Sequence, residues 1–92
     1  MPIWRLTPID LTSPLWAASQ HTTRAVIRAA TERDARQAAM QGFGREVPDI
    51  PWHANPWCQL ALVVCEPFPA SGYLETGPTA ILEPPGYFCW MA

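Results

Sequence analysis

The chain has 92 residues, a formal charge of −2, 49% hydrophobic residues and 11 Pro. That length suits one domain with a modest core, and a Pro content more than twice the usual ~5% excludes long regular elements. No run approaches the ~18 apolar residues of a membrane-spanning helix. The start Met1-Pro2-Ile3-Trp4-Arg5 lacks a basic segment followed by an apolar one. Neither a span nor a signal peptide is therefore expected, and the chain is placed in the cytoplasm.

Residues 3–7 alternate in character, with Trp4 and Leu6 on one face and Ile3 and Arg5 on the other, and Pro8 follows. This predicts a short first strand. Residues 10–23, rich in Ser and Thr, predict a loop anchored by Leu15 and Trp16. Two readings stay open for residues 24–42. In the preferred one, residues 24–29 form a strand with Ala25, Ile27 and Ala29 on one face and Arg24, Val26 and Arg28 on the other. Thr31 then caps a helix carrying Glu32 and Asp34 in its first turn, with Gly42 as its stop. In the other, one helix runs from Thr23 to Gly42, which sets Asp34 and Gln41 in line with Ile27, Ala30 and Ala38 and spoils an apolar stripe.

Residues 45–57 contain three Pro, which forbid a regular ladder and favour stiff, extended or turned backbone. The unbroken apolar run Leu60–Cys65 predicts a strand, either central or lying over the helix, ended by Pro67 and Pro69. Residues 73–75 and 79–83 predict a weak edge hairpin. Pro84 and Pro85 close a single domain over 1–85 and leave 86–92 as an apolar tail. The expected fold class is α+β: a small three- to four-stranded, mostly antiparallel sheet with one helix packed on one face, loop-rich.

The run Arg28, Ala29, Glu32, Ala35, Arg36 has the form R-A-x-x-E-x-x-A-R. With Trp4 before it and Pro51-Trp52 after it, the pattern resembles a set of small bacterial proteins of unassigned function, over about residues 3–66. The resemblance implies the strand-to-helix passage and carries no catalytic residue.

Every positive side chain is an Arg, and the distribution is uneven. Residues 24–45 hold five Arg against two acids, whereas residues 46–92 hold five acids and no base. Arg24, Arg28, Arg33 and Arg36 are a candidate basic stripe for nucleic-acid phosphates. Arg24 and Arg28 are equally a second electrostatic site for an acidic protein. Trp52, His53 and Trp57, spaced along a Pro-stiffened loop, are candidate partner anchors, because Trp is the strongest interface residue and a stiff loop loses little entropy on binding. Tyr87, Phe88 and Trp90 in the tail are a further apolar contact, either to the domain itself, to a second copy or to another protein.

His21, His53, Cys58, Cys65 and Cys89 show no closely spaced pair of the C-x2-C kind, so no metal or other cofactor is expected. Cys58 and Cys65 read as facing opposite sides of one strand, unable to pair. The sequence thus favours a non-catalytic protein-binding module, an adaptor or inhibitor, using the Trp-Pro loop and the tail. The alternatives are a nucleic-acid accessory domain using the Arg stripe and a small thiol enzyme.

Overall fold

A computed structural model describes residues 1–87. Four strands, β1 (Ile3–Pro8), β2 (Ala25–Arg28), β3 (Val63–Pro67) and β4 (Ala80–Glu83), form one sheet in the order β3-β1-β2-β4. All neighbours are antiparallel, and one helix, α1 (Glu32–Phe43), lies against the sheet. The protein is thus an α+β fold, as its patterning predicts. Among the described residues no helix is long and apolar enough to cross a membrane.

Strand followed by helix is the arrangement found over residues 24–43. Thr31 Oγ1 accepts the Asp34 amide at 3.1 Å and so caps α1. Register then sorts the side chains. Trp4 faces Ile27 and Leu6 faces Ala25 on the helix side, while Ile3 faces Arg28 and Arg5 faces Val26 on the other. The helix contributes Ala35, Ala38, Ala39 and Phe43, all fully buried, against Leu6, Ala25, Ile27, Val63 and Ile81. Three small residues on that face let the helix backbone approach the sheet closely. Fully burying Leu6, Ile27 or Val63 contributes roughly 1.5–3 kcal/mol each relative to exposure.

The opposite sheet face is covered by residues 68–79. Phe68 lies 4.7 Å beneath the Arg5 guanidinium, which also pairs with Glu66 at 2.6 Å. Arg28 donates to the carbonyls of Pro78 (2.8 Å) and Leu74 (3.1 Å), and the N-terminal amine donates to the carbonyl of Glu75. Gly77 is required there by its backbone conformation, and a side chain would also displace Arg28. Its φ is +123°, and a Cβ would stand 2.8 Å from the Arg28 guanidinium.

Three expectations need correction. The helix does not stop at Gly42 but continues to Phe43, with Gly44 as its cap, because the fully buried Phe43 ring is needed on the inward face. The strand expected from Leu60 begins at Val63. Residues 60–62 turn instead, with the Leu62 and Val63 amides both donating to the Gln59 carbonyl, and Leu60 is 74% exposed. β3 is accordingly an edge strand lying over the helix, and Cys58 belongs to a separate turn rather than to β3. The hairpin expected at 73–83 does not form either, since only Ala80–Glu83 is a strand and its partner is β2.

Candidate functional site

The four described Trp divide by what their indoles do. Trp4 donates Nε1–H to the Ala29 carbonyl (2.9 Å), Trp16 to Asp10 (2.6 Å), and Trp57 to Ser19 Oγ (2.9 Å). Trp57 is fully buried, edge-on to Trp16 at 5.4 Å and 5.0 Å from Phe43. Burial takes Trp57 out of direct contact with any partner. Trp52 is the exception: the residue is 51% exposed, and its indole N–H has no acceptor among the described residues.

Local chemistry fixes the Trp52 loop. The Arg45 amide donates to the Ala18 carbonyl and its Nε to that of Ala17, which ties the loop's start to the turn at Pro14–Ala18. Val47, Pro48, Asp49 and Ile50 form a turn closed by the Ile50 amide on the Val47 carbonyl at 3.1 Å, with Pro48 presetting φ at its second position. Two single 3₁₀ turns follow, Trp52–Ala54 and Pro56–Cys58, hinged at Asn55. Asn55 is buried; its Oδ1 accepts the Trp57 amide at 3.0 Å and its Nδ2 reaches the Ala18 carbonyl. The second of these turns is capped by the Asn55 side chain, the first is closed by the Asn55 amide on the Trp52 carbonyl, and Pro51 and Pro56 sit at their starts. Gly44 completes the seat: a Cβ there would lie 2.2 Å from the Met40 carbonyl oxygen and 2.7 Å from Trp52 Cζ3. No other residue lets the Trp52 ring lie so close to the helix end.

Beside this ring is a cavity of about 200 Å³ lined chiefly by Arg45, Glu46, Val47, Pro48, Ile50 and Trp52. His53 is exposed on the outer side of the same turn, its carbonyl accepting from Gln59 Nε2. Tyr87 lies elsewhere, half-buried against Phe43 (4.8 Å) and His21 (6.1 Å). Phe88 and Trp90 lie outside the described residues.

The Arg residues do not assemble into a stripe. Arg24 is exposed and stands 3.6 Å from Glu83, and Arg28 is committed to two carbonyls on the sheet face away from the helix. Arg36 is buried under the helix instead, where Nε meets Glu32 (3.0 Å) and the terminal nitrogens meet the carbonyls of Trp57 (3.3 Å) and Val63 (2.9 Å). The expectation of one basic surface over Arg24, Arg28, Arg33 and Arg36 fails because the sheet separates the first pair from the helix.

A second cavity, about 400 Å³, is lined by Glu32, Arg33, Arg36, Gln37, Cys58 and Leu60. Its thiol is not activated. Burial pushes Cys58 above the usual thiol range, with Arg36 pulling the other way. Burial likewise pushes Cys65 up to about 12, again opposed by Arg36 and reinforced by Glu32 and Glu66. Among the described residues no three His, Cys, Asp or Glu side chains gather as metal ligands would. The Cys65 shift has a signed consequence. In the unfolded chain the thiol ionises near 9.0, so above that pH deprotonation favours unfolding until the folded group also ionises. Its contribution is fully present below pH 9 and is lost between pH 9 and about 12. Urea midpoints should therefore fall more steeply over that window in the native chain than in Cys65→Ala; equal slopes would contradict the assignment.

Asn55, Gly44 and Arg45 were not singled out by sequence. The Asn55-Pro56 dipeptide is a turn signal that points to the first. Gly44 and Arg45 take their roles from tertiary neighbours and leave no local signature. No protein-family model, curated protein or solved structure matches the chain.

Proposed function

We propose that this chain is a small protein-binding module, an adaptor or inhibitor, whose contact is the Trp52 loop. The observation that carries this reading is the contrast among the described indoles: three are engaged internally, and Trp52 presents a half-exposed side chain and an N–H with no acceptor among the described residues, on a backbone preceded by Pro51. Ring area presented without conformational freedom is the usual character of an interface hot spot. His53, exposed on the same turn, flanks the contact. Among the described residues Cys58 and Cys65 are free thiols, which suits a reducing compartment and supports a cytoplasmic setting.

The test is capture from a lysate of the source cell with the tagged chain, Trp52→Ala, and Leu74→Ala as an exposed apolar control. Proteins retained by the native chain and by Leu74→Ala should be lost with Trp52→Ala, the expected drop for a hot spot being about thirtyfold in affinity. An unchanged set on Trp52→Ala would overturn the reading. If the retained protein is the chain itself, the module is a self-association device.

A further inference from the structure

We infer that the cavity beside Trp52 takes a basic, proline-containing extended segment of another protein, a deepening that rests on Trp52 being the contact. Folded domains take peptides by strand addition, by docking a helix in a long groove, or by seating a polyproline-type segment on aromatic rings. None of the cavity's lining residues belongs to the sheet, and the only bridge among them, Val47 to Ile50, already pairs within the loop. Strand addition has no edge to use there. A helix needs anchors at i, i+3, i+4 and i+7, spread over more than a turn, and a space of about 200 Å³ admits one or two compact groups. The walls are the Trp52 ring, Pro48, Pro51 and Ile50, which match a pyrrolidine ring. The Trp52 N–H is a donor without a partner among the described residues, suited to a carbonyl of a backbone that has no internal hydrogen bonds of its own.

Charge selects among such segments. Glu46 lines the cavity and Asp49 sits in the turn that forms its wall, and neither is ion-paired among the described residues. Arg45 also lines the cavity and keeps its charge while its Nε is held on the Ala17 carbonyl, so the two carboxylates and this guanidinium leave a net charge of −1. Lys or Arg next to the proline run is the complement, and it governs selectivity and rate of encounter more than raw affinity.

The experiment titrates the full-length chain with three acetylated, amidated decapeptides: Pro and Leu flanked by Lys, the same core flanked by Glu, and the Lys-flanked peptide with every Pro replaced by Ala. Nitrogen-edited spectra follow the indole resonance of Trp52, identified by its loss in Trp52→Phe, together with the backbone amides of residues 45–55, which report binding to that variant. The Lys–Pro peptide should shift that resonance and saturate. Glu flanks and the Ala core should each weaken binding by about fivefold, the size of one or two exposed charge pairs or of a preformed backbone. Trp52→Phe, which keeps a ring and removes the donor, should weaken it by about fivefold, the cost of one hydrogen bond. Glu46→Gln with Asp49→Asn should erase the preference for Lys over Glu flanks while the spectrum stays folded. No binding of the Lys–Pro peptide, or equal binding of all three, overturns the inference. If Trp52→Ala still abolishes capture from lysate in that case, the Trp52 contact stands and only the partner chemistry is wrong; if capture survives Trp52→Ala, the contact itself is wrong.

Discussion

Trp57→Ala is expected to lower the stability of the fold by about 4 kcal/mol, in the range for deleting a buried aromatic ring. The ring has no solvent exposure and is the meeting point of Trp16, Phe43 and His21, the last stacked at 6.1 Å with planes 9° apart. Its removal empties the space between the loop at 14–21 and the helix end, where backbone ties such as the Gln20 amide on the Phe43 carbonyl limit collapse. Trp57→Phe keeps most of the packing and loses the bond to Ser19 Oγ, which retains its own bond to the His21 carbonyl. That variant should cost about half as much. A domain of this size has a total of roughly 5–14 kcal/mol, so urea unfolding resolves the two values easily. A loss below about 1 kcal/mol for Trp57→Ala would contradict the packing described.

Arg36→Met is the second large effect, expected at about 3 kcal/mol. The methylene stem survives this change. The loss is therefore that of the guanidinium, which satisfies the carbonyls of Trp57 and Val63 in a site where the side chain is only 9% exposed. Leaving two buried acceptors unpaired costs about 1–3 kcal/mol apiece when no water enters. The ion pair with Glu32 contributes little by comparison, because that carboxylate is 44% exposed and the pair is an i,i+4 contact on a helix. Glu32→Gln should accordingly cost under about 0.5 kcal/mol. Thermal unfolding separates the variants, since 3 kcal/mol corresponds to a drop on the order of 12–24 °C for a domain this small. Equal effects of Arg36→Met and Glu32→Gln would place the stabilisation in the ion pair rather than in the carbonyl contacts.

The contrast between Trp52 and Trp57 shows where sequence reading reaches its limit. Both follow a Pro and both sit in a one-turn 3₁₀ helix, so their local chains are nearly the same. One ring is buried and the other half-exposed because of what lies across from each, Ser19 and Trp16 for the first and Gly44 for the second. No window of the sequence contains that information. Arg36 is the same case: its i,i+4 partner Glu32 is readable, but its inward course depends on carbonyls 21 and 27 residues away. The strand and helix over 25–43 were legible because period-2 and period-3.6 patterns and the Thr31 cap are local. The late start of β3 was not, because Leu60–Leu62 are as apolar as the strand they precede and their turn is set by the Gln59 carbonyl.

The sheet also constrains how quickly the chain can reach its native state. Arg5 of β1 meets Glu66 of β3 across 61 residues, and β2 likewise waits for β4. The first strand can form its outer ladder only after Pro67 is available, so early contacts are confined to β1 with β2 and to the helix. Loop-closure entropy is spent before either outer ladder contributes. Refolding should therefore lie toward the millisecond-to-second end of the range for small domains, with β1–β2–α1 as the nucleus on which both edges later assemble.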